Sequence, residues 1–244
     1  MTLHQPITYT LLQTLRQSTE RLSPQARQLV VQFVESQRVE GEAFKDRGGR
    51  ADLYYTMFGW MLVYALGIPS NSQQRKAFLE GVNKPRLDEL HQTVYKLCSL
   101  LHKLLSLPKY TPDAVLRLLS SDEALNQFFE AYQRHGGGGG TNARAARLAN
   151  STRATADLTD PLLAMQDETG GFRAHSGAPF PDLLSTSVAV FALNMHGIAT
   201  RYDVKPFIEA HWQEDGSFVA SLLDAYGDVE YEFYGLLALG SINL

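Results

Sequence analysis

Basic residues beside glycine-rich loops are the first group in this sequence whose types and spacing suit chemistry. His135 stands before five glycines, and Arg144 follows them in a segment of helical composition. Arg173 and His175 come directly after the turn at 170–172. Glycines ahead of a helix leave backbone N–H groups free to bind an anion. The pattern therefore predicts an anion site, and a surface loop with solvated side chains is the alternative.

Carboxylates are the second such group, because three aspartates each precede an apolar run. Asp52, Asp182 and Asp228 occupy the same place in three similar segments. A buried carboxyl with a raised pKa can act as a general acid, but aspartate is also a preferred helix N-cap. Recurrence at one position favours capping. Glu230 and Glu232 are two residues apart on one helix, so they point about 200° apart and do not easily share a site.

Composition excludes several classes of function. The 244 residues are 44% hydrophobic with a net charge of −4, which fits a globular protein without a general attraction to nucleic acid or anionic lipid. The single cysteine, Cys98, excludes an internal disulfide and is expected to be buried. The N-terminal segment lacks the regions of a signal peptide, and no apolar run reaches the ~20 residues that cross a bilayer. We therefore expect a cytoplasmic protein.

An internal repeat organises the elements that must position these residues. Each clear copy has a glutamine, a glycine, a phenylalanine, an aspartate and then an apolar helix. The glutamines are Gln37, Gln166 and Gln213. The spacing from Asp52 to Gly67 equals that from Asp182 to Gly197, as expected for stacked units. The sequence predicts one domain of residues 1–244, with clear repeats at 25–67, 158–197 and 201–241 and degenerate ones between 70 and 157.

Helical periodicity predicts about twelve helices in about five or six hairpins, with almost no strand pattern. Each hairpin joins an amphipathic helix to a more uniformly apolar one, which a single hairpin cannot bury. If the stack closes, the apolar helices form an inner ring and the amphipathic helices an outer ring. Three local predictions belong here: a loop at 135–140, a helix opening at Asp160-Pro161, and Glu89 at the position of Asp52 in a degenerate copy.

The repeat unit resembles the α/α-toroid repeat of protein prenyltransferase β-subunits and of squalene, hopene and related terpene cyclases. The resemblance covers most of the chain and implies an all-α toroid. In the protein prenyltransferases a His-Gly-Gly stretch opens a helix and its histidine contacts the isoprenoid diphosphate, which implies this role for His135, with Arg144 adding charge. Basic residues after Gly-Gly-Phe face the same diphosphate, which implies Arg173 and His175. No lysine matches the second basic position of the family.

The resemblance also locates the family's zinc ligands. They are an aspartate and a cysteine at the start of one inner helix and a histidine in the next repeat, and the matching residues are Asp182, Leu184 and Tyr231. Leucine cannot ligate a metal, and neutral tyrosine is a poor zinc ligand. We therefore expect no metal and no cofactor. The acidic cluster of the cyclases is also missing, so Asp182, Asp228 and Tyr231 are left as the catalytic candidates.

Aromatic residues on the inner helices indicate a central cavity. In the resembling enzymes such rings enclose an isoprenoid chain, and cation–π contact stabilises carbocations. Tyr55, Trp60 and Tyr234 are rings that we expect to bind such a substrate. The alternative is that these rings fill the core of a small toroid.

Two functions follow from these observations. The first is a prenyltransferase-like or terpene-cyclase-like protein that binds an isoprenoid diphosphate or another apolar small molecule in the central cavity, with zinc-independent prenyl transfer or cyclisation as its reaction. The second is a toroid that has lost the metal and acid sites and serves as a binding or assembly module. A cavity of roughly 300 Å³ or more, open at the loop end, favours the first. A filled axis favours the second. Neither function involves nucleic acid, and the protein partner is left open.

Overall fold

The computed structural model describes residues 5–120, 123–136 and 140–242, with the side chains of residues 129 and 132–136 outside the description. Its helices are α1 (Ile7–Arg21), α2 (Pro24–Ser36), α3 (Leu53–Leu66), α4 (Ser72–Gly81), α5 (Glu89–Leu105), α6 (Pro112–Leu119), α7 (Ala124–Gly136), α8 (Thr141–Ala149), α9 (Ala156–Leu163), α10 (Leu183–Met195), α11 (Lys205–Ala210) and α12 (Val229–Ser241). Two strands of two residues, β1 (Phe44–Lys45) and β2 (Ala51–Asp52), form an antiparallel pair. The predicted all-α class is confirmed.

Inner helices of the described chain form a closed ring. Neighbours pack in the order α1, α3, α5, α7, α8, α10 and α12, and α12 returns to α1. Helices α2, α4, α9 and α11 pack on the outside of α3, α5, α8 and α12 respectively. Nearly every residue of α3 is buried, as expected for a helix that is apolar all round. The two predicted layers are present, and we call the end where α3, α8, α10 and α12 begin the loop end.

Aspartate side chains cap the inner helices α3, α10 and α12, as predicted. The carboxylate of Asp52 accepts the Tyr55 N–H at 3.0 Å, and Asp182 and Asp228 accept the equivalent N–H of α10 and α12 at 2.7 and 3.0 Å. Asp88 caps α5 in the same way at 2.8 Å. The predicted alignment of Glu89 with Asp52 is therefore wrong by one residue, because the capping side chain must precede the first helical residue.

The turn before each of α3, α10 and α12 is held by a phenylalanine. Phe44, Phe172 and Phe218 form single antiparallel bridges with Arg38, Gln166 and Trp212. Arg38 and Trp212, rather than Gln37 and Gln213, are therefore the equivalents of Gln166. The glutamine alignment is wrong in two copies because the bridge is made by the backbone and does not require a particular side chain. In the middle copy the Gln166 amide also reaches the next repeat, where it donates to the Tyr202 carbonyl at 3.0 Å.

A buried threonine hydroxyl receives the phenylalanine N–H in two of these turns. Thr56 Oγ1 accepts the Phe44 N–H at 2.9 Å, and Thr186 Oγ1 accepts the Phe172 N–H at 2.8 Å. Glu232 occupies the matching position of the third copy and is fully buried. Burial raises its pKa well above the usual range, and the nearby Phe218 N–H only partly opposes this. Neither carboxyl oxygen has a hydrogen bond of normal geometry within the described part of the chain. Glu232 is therefore a neutral part of the scaffold.

Two predicted element boundaries differ from the structure. Helix α7 continues through Gly136, so the predicted loop does not start at 135, since glycine is well tolerated at a helix C-terminus. Residues 137–139 of that predicted loop lie outside the described residues. Helix α9 begins at Ala156 and contains Pro161 in its interior. The prediction that Asp160-Pro161 opens this helix is wrong. Proline is accepted there because the carbonyl that loses its partner belongs to Asp157, an exposed residue whose backbone water can reach.

Helix α1 closes the ring at the end opposite the loop end. Thr19 Oγ1 donates to the Ala65 carbonyl of α3 at 3.3 Å, and Arg21 donates to the Ile242 carbonyl after α12 at 2.7 Å. At Gly240 the backbone of α12 lies so close to Thr14 that a Cβ would overlap the Thr14 carbonyl. Helix α1 also contacts α6 and α7. It therefore reaches from the α3–α12 side of the ring to the α7 side.

Candidate functional site

A narrow cavity of about 40 Å³ lies on the axis of the ring. Helices α1, α3, α7, α8, α10 and α12 supply its walls, and Leu11 of α1 contributes one side. Pockets that hold small ligands measure roughly 300–1,000 Å³. The axial cavity is several times smaller than the smallest of these pockets, so side chains occupy most of the axis.

Aromatic rings from α3 and α12 fill this axis. Phe58 lies 4.9 Å from Phe233 and 5.7 Å from Tyr234 between ring centroids, and Phe233 meets Tyr234 edge-on at 5.2 Å. All three rings line the cavity and are nearly inaccessible to solvent. Such offset and edge-on pairs are favourable beyond the area they bury. The rings expected to surround a ligand therefore pack on one another.

A polar cluster lies next to the loop end of this cavity. The Tyr54 hydroxyl donates to Glu230 Oε1 at 2.8 Å, joining α3 to α12. Tyr54 also packs edge-on against Phe58 at 5.1 Å. Burial raises the pKa of Glu230 from 4.5 to about 7, and the Tyr54 hydrogen bond opposes the shift. A general acid must carry its proton at neutral pH, and a carboxyl that is partly protonated there meets this requirement.

Arg47 covers the same cluster from the loop between β1 and β2. Its Nε donates to Asp228 Oδ2 at 2.7 Å, and its guanidinium lies 5.6 Å from the centre of the Tyr231 ring. The ion pair raises the pKa of Arg47. Burial raises the pKa of Tyr55 to about 12, and it raises the pKa of Tyr231 further. Both phenols are therefore neutral. The Asp228 carboxylate accepts hydrogen bonds from the start of α12 and from Arg47.

The positions of the family's zinc ligands do not form a metal site. Asp182 caps α10, Leu184 lines the axial cavity, and Tyr231 lies beneath Arg47. Burial raises the pKa of Asp182. No group of three or more histidine, cysteine, aspartate or glutamate side chains able to hold a metal ion occurs in the described part of the chain. Cys98 is fully buried in α5, and burial raises the pKa of its thiol.

The basic residues of the predicted anion site are only partly brought together. Thr141 at the start of α8 donates its N–H to the Ala174 carbonyl at 2.8 Å, so Arg144 and the 173–175 loop belong to one region. Arg173 Nη2 lies 3.4 Å from Asp167 Oδ2, which neutralises part of its charge. His175 is exposed, and its Nδ1 accepts the Gly177 N–H at 3.2 Å. The side chain of His135 lies outside the described residues.

The three predicted aromatic site residues have different surroundings. Tyr234 lines the axial cavity. Tyr55 lies half-buried near the Arg47 cluster. Trp60 is fully buried, donates its indole N–H to the Glu42 carbonyl at 2.8 Å, and packs against Phe78 of α4 at 6.0 Å. Trp60 therefore faces the outer layer, away from the axis.

Two features were not among the predicted site residues. The first is Glu230, which is partly buried and accepts a hydrogen bond from Tyr54 of a distant repeat. The second is a groove of about 560 Å³ on the outside of the loop end, between two successive repeats. We call it the outer groove, and its main walls are Phe180, Pro181, Pro206, Phe207, Leu222 and Leu223. The adjacent leucines at 222 and 223, in a segment without helical periodicity, are the one sign of it in the sequence.

The closed ring of inner helices, with outer helices at its rim and glycine–phenylalanine turns at one end, defines an α/α toroid. A family model described as the prenyltransferase alpha-alpha toroid domain matches residues 2–149 and 143–240. The chain therefore belongs to the prenyltransferase α/α-toroid family. No curated protein and no solved structure gave a significant match. Within the described residues, no helix has both the length and the apolar character needed to cross a bilayer.

Proposed function

We propose that this protein is a non-catalytic member of its family that works as a binding or assembly module. The observation that carries the proposal is the filled axis. The cavity of about 40 Å³ is far smaller than a small-molecule pocket, and an isoprenoid chain would have to displace Phe58, Phe233 and Tyr234. These rings are held by one another and by the closed ring of helices.

The chemistry of the loop end supports the same proposal. Leu184 and Tyr231 replace ligands that a zinc-dependent prenyltransferase requires, and Asp228 and Arg47 neutralise each other. Arg173 is paired with Asp167. Arg47, Asp228 and Arg173 are thus engaged in structural contacts.

A surface suited to binding is present on the outside of the toroid. Leu222 and Leu223 are 65% and 83% exposed, and Phe180 is 50% exposed. These residues share the outer groove. Contiguous exposed apolar side chains of this kind are typical of interaction sites.

A second candidate function is the binding and conversion of an apolar ligand on the axis, and the Tyr54–Glu230 pair favours it. With its pKa raised to about 7, Glu230 is protonated in part at neutral pH and lies beside rings able to stabilise a cation. In this function Glu230 would hold and donate the proton, and the hydroxyl of Tyr54 would stabilise the carboxylate that is left. The axis would have to widen about tenfold to admit the ligand.

Product formation distinguishes the two functions. The protein is incubated with farnesyl diphosphate and a cysteine-containing peptide, and separately with squalene, each with and without Zn²⁺ and Mg²⁺. An active member of the family is run in parallel, and products are measured by mass spectrometry. We expect no product above the protein-free control. A product that is lost in Glu230→Gln would overturn the proposal in favour of the second candidate.

A further inference from the structure

The outer groove has the size and the lining of a ligand site. Its volume of about 560 Å³ lies within the usual range for small-molecule pockets. It runs between the 175–181 loop, helix α11 and the 219–227 loop. The described side chains that line it include no lysine, arginine, aspartate or glutamate. An occupant that fits this lining is apolar and uncharged.

His211, at the end of α11, supplies the groove with a defined hydrogen-bonding group. Its side chain forms part of the groove wall and is 1% exposed. The Nδ1 atom lies 2.8 Å from the Phe207 carbonyl oxygen. Because a carbonyl oxygen only accepts, Nδ1 carries the proton in this contact and Nε2 of the neutral ring is an acceptor.

The Nε2 atom of His211 has no partner within the described part of the chain, and it is shielded from solvent. Burial lowers the pKa of His211, while the Phe207 carbonyl and, more weakly, Asp182 and Asp224 act in the opposite direction. The ring is therefore neutral at pH 7. Buried acceptors are nearly always hydrogen-bonded in folded proteins, so the occupant of the groove is expected to present a donor.

We propose that the outer groove binds an uncharged, apolar molecule with one hydroxyl group, which donates to Nε2 of His211 while its apolar body packs against Phe207, Leu222 and Leu223. This inference rests on the proposed function as a binding module, for which it supplies the class of ligand. Leu222 and Leu223 lie mostly in solvent, so they can rearrange around an occupant without loss of core packing.

A matched pair of probes tests the proposal. 2-Naphthol has an apolar body and one O–H donor, and 2-methoxynaphthalene has the same body without the donor. Both are titrated into the full chain and followed by fluorescence. We expect 2-naphthol to bind saturably and 2-methoxynaphthalene to bind about three- to tenfold more weakly, as the loss of one hydrogen bond predicts. Equal affinity for the two probes, or binding of neither, would overturn the proposal.

Two variants locate the binding. Leu223→Ser shortens the groove wall and should weaken 2-naphthol binding about tenfold. Tyr226→Ser changes an 84% exposed residue of the same loop that does not line the groove, and it should leave binding unchanged. If Leu223→Ser binds 2-naphthol as the wild type does, the site lies elsewhere. His211→Phe should bind both probes equally, and if it fails to fold, the probe pair and Leu223→Ser still decide the matter.

A second copy of the chain is the competing occupant, and sedimentation of the same samples detects it. Dimerisation that disappears in Leu223→Ser would assign the groove to self-association and overturn the small-molecule proposal. These results are separate from those of the product assay. Turnover of an isoprenoid would contradict the proposed function, whatever the outer groove binds. If neither probe binds, the outer-groove proposal fails, but the proposed function as a non-catalytic module is not affected.

Discussion

Tyr54 and Glu230, which are 176 residues apart in the chain, are joined by a hydrogen bond of 2.8 Å between the first turns of α3 and α12. This bond ties the ring together at the loop end, as Thr19 and Arg21 of α1 tie it together at the opposite end. The ring is therefore fastened at both ends by contacts between distant parts of the sequence. The hydrogen-bonded pair at the loop end also contains a titratable carboxyl, Glu230, beside Tyr54, which packs on Phe58.

Ionisation of Glu230 should make the stability of the protein depend on pH. The pKa is raised from 4.5 to about 7 in the folded protein, so the folded state binds the proton more tightly. The stability that protonated Glu230 contributes to the folded state is fully present below about pH 4.5, and it is lost as the pH rises through about 7. Glu230→Gln keeps an acceptor for Tyr54 without the charge. We expect it to raise the free energy of unfolding by about 1–3 kcal/mol at pH 8.

Urea denaturation at pH 5 and at pH 8 measures this effect. Much less difference from the wild type is expected at pH 5, where Glu230 is already protonated. Glu214→Gln is the matched control, because Glu214 is an exposed residue of the turn that precedes α12, and it should change stability little at either pH. An equal effect of Glu230→Gln at the two pH values would contradict the claim that burial raises the pKa of Glu230.

Packing of the turn phenylalanines on glycine provides a second prediction. A Cβ at Gly235 would overlap the Phe218 ring, as one at Gly59 would overlap Phe44. Gly235→Ala should therefore destabilise the protein by about 1–3 kcal/mol through overpacking. Gly81→Ala at the end of α4 is the control, since nothing lies within 4 Å of a Cβ there. Chemical denaturation that finds Gly235→Ala as stable as Gly81→Ala would refute the packing described.

Capping by Asp182 leads to a third prediction. Its carboxylate accepts the Ser185 N–H at 2.7 Å, and asparagine caps helices about as well as aspartate. Asp182→Ala should lower the free energy of unfolding by about 1 kcal/mol, and Asp182→Asn should lower it by much less. Asp160→Ala, at an exposed position of α9, is the comparison for a non-capping aspartate. A loss in Asp182→Asn as large as in Asp182→Ala would mean that the charge, rather than the cap, is what the fold requires.

Features that depend on a few consecutive residues could be predicted from the sequence, whereas those that depend on distant contacts could not. The caps of Asp52, Asp182 and Asp228 follow from the local geometry of a helix start, and they recur in each clear copy. The repeat indicated stacked helical hairpins, and its resemblance to the prenyltransferase family implied the α/α toroid. The bridge partners Arg38 and Trp212 could not be predicted, because the bridge is formed by backbone atoms and any side chain is compatible with it.

The volume of the axial cavity and the surroundings of Glu230 needed the folded chain. Both depend on how Phe58 of α3 meets Phe233 and Tyr234 of α12, and no local pattern encodes that distance. The outward direction of Trp60 has the same origin, because α3 is apolar on every side and its periodicity does not show which face points inward. The outer groove likewise requires two loops from successive repeats.

The most direct test of the central claim, a toroid whose axis is filled, is isothermal titration calorimetry of the wild-type chain with farnesyl diphosphate. A cavity of about 40 Å³ excludes an isoprenoid chain, so we predict no saturable heat, and His135→Ala should behave in the same way. Saturable binding by the wild type, lost in His135→Ala, would show that the axis opens and that the diphosphate is held at the loop end, and it would contradict this account.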